Sequence, residues 1–211
     1  MVGMKDDNEE DALRSYADIM ALYQKWRIPP IDPEKGWYQR RGYAFERMLN
    51  ALFSLELLDP RTNYRPPGEE IDGSIMVNGH TYLLEAKWWK SPLPASQLYA
   101  FKGKVDGKLA GTLGIFISHS GFADDAVDAL VSGKGINMIL FEGSDFEAIL
   151  NEEVTFVGAL EKKSRYAAEN GQPFLPISPR MAAQGDDAGQ MSVIADVNVI
   201  VESESDEAGL G

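Results

Sequence analysis

The sequence predicts an α/β fold, with helices on both sides of a mixed central sheet. Three observations predict it. Asn78-Gly79 stands between two runs of extended-structure residues, the strongest short signal for a two-residue type I′ hairpin. Two apolar runs, Thr112–Ser118 and Ile136–Phe141, are separated by a helical stretch. That order implies parallel pairing of the two strands. Ahead of the hairpin, apolar residues recur at spacings of three and four, the pattern of helices that pack on a sheet.

Residues 1–39 read as an acidic N-terminus followed by an amphipathic helix. Within 9–27, Leu13, Tyr16, Ala17, Met20, Tyr23 and Trp26 form one stripe, expected to pack on the domain that follows. Pro29-Pro30 and Pro33 end this helix. Residues 40–169 form the main domain. Its first helix, Arg40–Leu58, presents Tyr43, Met48, Leu49, Leu52 and Phe53 on a broad apolar face, with Glu46 embedded in it. Arg40, Arg41 and Arg47 are candidates either for phosphate contact or for solvated charge at the helix start. Asp59-Pro60 breaks the helix, and Thr62–Arg65 reads as a short edge strand.

The hairpin sets a register. With Asn78-Gly79 as the turn, Val77 faces His80, Ile75 faces Tyr82, Gly73 faces Leu84, Asp72 faces Glu85 and Glu70 faces Lys87. Side chains alternate along a strand, and opposed residues share a face. Ile71, Gly73, Ile75, Val77, Tyr82, Leu84 and Ala86 therefore make a core face, with His80 at its rim. Glu70, Asp72, Glu85 and Lys87 cluster on the other face. A bulge near Asp72 would change its face.

Three clustered carboxylates repel one another unless positive charge joins them. Lys87 offsets one. The remainder suits a hard divalent cation with oxygen ligands, such as Mg2+ or Mn2+. A metal beside a lysine is suited to phosphodiester hydrolysis: the metal polarises the phosphoryl oxygen and acidifies water, and the lysine orients that water or stabilises negative charge. The bland reading is a cross-strand ion pair on a solvated sheet. Leu83 and Trp89 alongside, and the charge excess, argue against it. Trp88 and Trp89 point to opposite faces, so one of them belongs to the core.

Ala95–Leu109 reads as a helix. Lys102, Lys104 and Lys108 on it, with Lys90 just before it, are the candidates for backbone phosphate contact, a surface for nucleic acid. Gly121–Val131 reads as a helix, Phe146–Leu150 begins another, and Val154–Ala168 continues helical. His119 is expected to be a loop residue. Residues 170–211 read as a breaker-rich linker, a β-prone run Ser192–Val201 and an acidic tail. That segment is a candidate arm for a homodimer or protein partner.

The 211 residues allow one domain with extensions. The absence of cysteine excludes disulfides and thiolate metal sites and fits a reducing cytosolic compartment. No apolar run approaches the roughly 18 residues of a membrane span, and the acidic N-terminus is no secretory signal. Net charge is −13. Residues 1–12 hold five acids and one lysine, and 170–211 hold seven acids and one arginine, leaving the middle of the chain at only −3. A near-neutral domain can bind DNA through local basic patches.

Asp72 followed by Glu85-Ala86-Lys87 after a hairpin resembles the PD-(D/E)xK nuclease superfamily, in its Mrr-like restriction endonuclease branch. The string GIFISHSGFADDAVDAL followed by NMILFEG is similar to that branch as well. The residue before Asp72 is Ile71 rather than proline, a departure common in the superfamily. The resemblance implies a restriction-endonuclease-like α/β/α sandwich, with Asp72 and Glu85 as metal ligands and Lys87 as the catalytic lysine. It adds Glu46, on the first helix, as a further ligand and Gln97, from a Q-x-x-x-F element with Phe101, in support alongside Glu70. It implies metal-dependent DNA cleavage, commonly in defence against foreign DNA. The rival is a catalytically silent binding or regulatory module of the same fold. FISHS also resembles the opening of a TIR domain, but such a domain would have to fit into about 95 residues, much of them poorly hydrophobic, and would leave the hairpin cluster unexplained.

Overall fold

Asn78 and Gly79 both take positive φ, 50° and 79°, as a type I′ turn requires. The turn joins β2 (Ile71–Val77) to β3 (His80–Lys87). The computed structural model describes residues 13–64, 71–132 and 135–177. Pairs run from Val77↔His80 to Gly73↔Leu84 in the expected register. The pairing ends one step before the expected Asp72–Glu85 pair. Glu70 lies outside the described residues.

β1 (Arg61–Tyr64) pairs antiparallel with β2. β4 (Leu113–Ser118) and β5 (Met138–Glu142) extend the sheet from β3 in parallel. The order β1-β2-β3-β4-β5 gives the predicted mixed sheet. Strand alternation sorts the core into two layers. Leu84, Ile115, Ile117 and Phe141 face one helical layer, while Leu83, Phe116 and Leu140 face the other. The first layer holds α1 (Tyr16–Arg27), α2 (Trp37–Leu55), α5 (Gly143–Leu150) and α6 (Phe156–Asn170). The second holds α3 (Ala95–Asp106) and α4 (Ala126–Val131).

Ser15 caps α1 by accepting from the Asp18 N–H at 3.1 Å. The expected stripe does pack on the domain: Ile19 and Tyr23 are buried against α2. Gly114 lets α3 sit close on β4, because a Cβ there would come within 2.8 Å of the Phe101 ring.

Four expectations are corrected. α2 begins at Trp37 and ends at Leu55, three residues earlier at each end than expected. The helix after β4 is shorter than Gly121–Val131, because Leu93 exchanges backbone hydrogen bonds with Gly121 and Ala123 and holds that stretch extended. Ile71 packs in the α3 layer with Leu83 instead of beside Ile75. The breaker-rich segment after Asn170 docks on the domain as far as Ile177: Pro173 accepts from the Leu140 N–H at 3.0 Å, and Ile177 N–H donates to Asp145 at 2.7 Å. The β-prone run and acidic tail lie outside the described residues. Among the described residues no helix is long and apolar enough to cross a membrane.

Candidate active site

Glu85 and Lys87 sit two residues apart near the C-terminal end of β3, so both side chains project to the α3 side with Leu83. Asp72 reaches them from β2. The two strands part at Gly73, which lies so close under the Arg61 carbonyl that a Cβ would stand 2.8 Å from it. Beyond that point the Asp72 carboxylate, rather than a backbone carbonyl, accepts the Ala86 N–H at 2.9 Å. The same Oδ2 lies 3.1 Å from Lys87 Nζ, and Glu85 Oε1 lies 2.7 Å from it. Asp72 and Glu85 therefore converge on one ammonium.

Burial pushes the Lys87 ammonium down, but the charges of Asp72 and Glu85 and their hydrogen bonds outweigh it. The pKa ends above the ordinary lysine value. Lys87 is therefore a cation at neutral pH, suited to hold a hydroxyl or neutralise an oxyanion and unsuited to accept a proton.

A second lysine completes the cluster. Lys104 Nζ on α3 lies 2.7 Å from Glu85 Oε2. Lys102 and Lys104, proposed together from the sequence as phosphate contacts, have different surroundings. Lys102 pairs with Asp106 at 3.0 Å and with Asn137 at 3.3 Å. Two residues along a helix differ by about 200° in direction, so the divergence was readable in principle. Lys90 stands 4.0 Å from the Tyr38 ring, and Lys108 follows α3 in the turn closed by its N–H to Val105. Gln97 lies in the first turn of α3, four residues from Phe101 and seven from Lys104, on one helical stripe.

Glu46 lies on the α2 side of the sheet. It and Asp72 both line a cavity of about 240 Å³ between α2 and the β1–β2 edge, with Gly73 and Ala86 on its wall. Glu85 stands on the α3 side, and among the described residues no three acidic or histidine side chains gather into a ready metal nest. Among the described residues the donor set is the Asp72 and Glu85 carboxylates, both on Lys87, with Lys104 also on Glu85. That set fits a hard ion that takes one or two carboxylates and fills its remaining positions with water and substrate phosphate oxygens.

Arg41 does not serve phosphate. It is buried, its guanidinium lies about 5 Å from the Trp37, Tyr38 and Trp88 rings, and Nη2 donates to the Trp88 carbonyl at 2.9 Å. This holds the chain just beyond Lys87. Trp88 is the core tryptophan and Trp89 the exposed one.

His119 stacks on Trp88 with centroids 4.0 Å apart. Its Nε2 lies 2.9 Å from Tyr23 Oη, whose one proton goes to Glu147. Nε2 therefore carries the hydrogen in the neutral ring. Burial, then Arg41, push the His119 pKa down to about 4, with Arg27 adding to this and Glu147 opposing it. The folded value is below the unfolded one. The neutral ring's contribution is thus complete above pH 6.5 and is lost as pH falls toward 4. With allowance for partial exposure, the loss is expected to be about 1–2 kcal/mol. His119→Phe should reduce the difference in denaturant midpoint between neutral and acid pH. An unchanged difference would contradict a neutral buried His119.

A family model described as restriction endonuclease (Mrr_cat) matches residues 38–150, from the second residue of α2 to the end of α5 and over half the chain. Among solved structures, the chain resembles the MspJI restriction endonuclease in complex with a 27-mer oligonucleotide: 14% identity, 87% of this chain and 43% of that one covered, TM-score 0.41. It also resembles the DNA modification-dependent restriction endonuclease AspBHI: 18% identity, 71% and 41% covered, TM-score 0.43. The chain spans less than half the length of either. No curated protein matches it.

Proposed function

The chain belongs to the Mrr-type restriction endonuclease family, and on that premise we propose that it hydrolyses DNA phosphodiester bonds with a divalent metal ion, Mg2+ or Mn2+, held by Asp72 and Glu85. The observation that carries this reading is the convergence of both carboxylates on Lys87 Nζ at 3.1 and 2.7 Å. When bound, the cation supplies Lewis-acid polarisation of the phosphoryl oxygen and an acidified water. Lys87, kept protonated by its two carboxylates, orients the attacking water and stabilises charge on the phosphoryl group. Asp72 is held for this task by the Ala86 N–H. Glu46, which lines the α2 cavity together with Asp72, serves as a further ligand or a base for water. Gln97, at the start of α3, supports the substrate side, and Lys90, Lys102 and Lys108 contribute outlying positive charge. The family match supports a role in restriction of foreign DNA. One such site cuts one strand, so a double-strand cut calls for a second copy or a partner, recruited through the segment after Ile177.

The experiment is a panel of supercoiled, linear and single-stranded DNA, with RNA, incubated in Mg2+, Mn2+ or chelator. Cleavage of DNA only with metal is expected. Binding without cleavage under every condition would select the silent module of the same fold.

A further inference from the structure

Lys104 has a position that cleavage chemistry alone does not explain. Glu85 uses both of its oxygens on lysines, Oε1 on Lys87 and Oε2 on Lys104, each at 2.7 Å. Among the described residues the cluster therefore holds two carboxylates and two ammoniums, with Asp72 and Glu85 largely shielded from water. The charges of these four side chains sum to zero before any metal arrives. A divalent ion added alone would take the cluster to +2 in a half-buried setting, which is costly. DNA added alone would leave the phosphates' negative charge uncompensated by these four side chains. Adding both together restores balance, because two phosphates offset the ion.

The two lysines differ in what they can do during that exchange. Lys87 is carried by a paired central strand and bridges both carboxylates. Lys104 comes from the neighbouring helix on a four-carbon stem, and its ammonium can swing while α3 stays seated on Gly114. We propose that Lys104 is an exchangeable counterion: it sits on Glu85 in the metal-free protein and passes to a DNA backbone phosphate when a divalent cation takes Glu85, so that metal and DNA bind cooperatively. This rests on the metal reading of Asp72 and Glu85 above. Coupling of this kind is reciprocal, so DNA raises metal affinity by the factor by which metal raises DNA affinity.

Full-length protein and its Lys104→Gln variant are compared, with Ca2+ as the probe ion. Ca2+ affinity without DNA is read by calorimetry. Affinity for a short duplex in Ca2+ is read by anisotropy across a salt series. Lys104→Gln should bind Ca2+ alone about three- to tenfold more tightly, having lost the competitor for Glu85. Its DNA affinity should fall, with a log–log salt slope shallower by about 0.9, the value of one phosphate contact. Lys104→Arg should keep the wild-type slope. If Lys104→Gln lacks a cooperative melt, Lys104→Met, which keeps the apolar stem, carries the comparison. Wild-type Ca2+ binding with no change of metal affinity or of salt slope in the variant would overturn the exchange and leave the metal reading standing. A change in metal affinity alone would also overturn it, since Lys104 would then be only a resident ion pair. Absence of Ca2+ binding by wild type, with or without DNA, would overturn the metal reading and the exchange with it.

Discussion

Glu85→Gln is expected to lower the rate of DNA cleavage by about a thousandfold while leaving a cooperatively folded protein. The carboxylate sits between two ammoniums at 2.7 Å each and is 8% exposed. Glutamine keeps its shape and one acceptor oxygen but turns an N–H2 toward a lysine. It leaves Asp72 as the remaining carboxylate on Lys87, so a divalent ion loses half its anionic ligand charge. A thousandfold corresponds to about 4 kcal/mol of transition-state stabilisation, within reach of a lost charge in a poorly solvated site. The stability cost should be smaller, about 1–3 kcal/mol for one altered buried hydrogen-bonding group. Asp72→Asn should behave similarly, because its side-chain oxygen can still accept the Ala86 N–H. Lys87→Ala should slow turnover more than it weakens metal binding, since the task proposed for the lysine is at the substrate.

Asp145→Ala should be the most destabilising single change away from the site, by about 3–5 kcal/mol. Asp145 and Lys163 are both fully buried and 2.7 Å apart. Asp145 does three further things: it accepts the Glu142 N–H at 2.9 Å to cap α5, accepts Ile177 N–H at 2.7 Å to hold the docked segment, and offsets the charge above the Phe141 and Phe174 rings. Burial pushes the Lys163 pKa down, and Asp145 opposes that. Alanine would therefore strand a buried cation. Lys163→Met removes the charge and leaves Asp145 with both N–H donors, so its cost should be smaller. Thermal melts read this directly. The Asp145→Ala midpoint should fall by about 10 °C, given about 2–4 °C per kcal/mol for a chain of this size. A fall of less than a few degrees, or a larger one in Lys163→Met, would contradict the ion pair's part in seating residues 171–177.

The centre of the fold was legible because one turn sets it. Asn78-Gly79 imposed a register that placed Glu85 and Lys87 on one face without any knowledge of the rest. The parallel strands were legible because β4 and β5 are apolar on both faces, as strands buried on both sides must be. The end of β2 was less so. Where Ile71 and Asp72 point depends on how closely the Arg61 carbonyl lies over Gly73, a tertiary contact that the hairpin pattern does not contain. Lys104 was singled out as a phosphate contact, and its pairing with Glu85 was not read from the sequence. Its contact with Glu85, 19 residues earlier, depends on the rotation of α3 fixed by Phe101 and Val105 over Gly114. Phe174 and Ile177 were hidden in a run of prolines and glycine that reads as linker, because docking onto β5 and α5 uses backbone hydrogen bonds and leaves no periodicity.

The Asp72–Glu85–Lys87 cluster is proposed to cleave DNA with a divalent metal. Scission of supercoiled plasmid by wild type and by Glu85→Gln, each in Mg2+ and in chelator, tests it most directly. Nicked and linear products from wild type in Mg2+, with little from the other three reactions, is the predicted result. Equal product from Glu85→Gln, or from wild type in chelator, would contradict it.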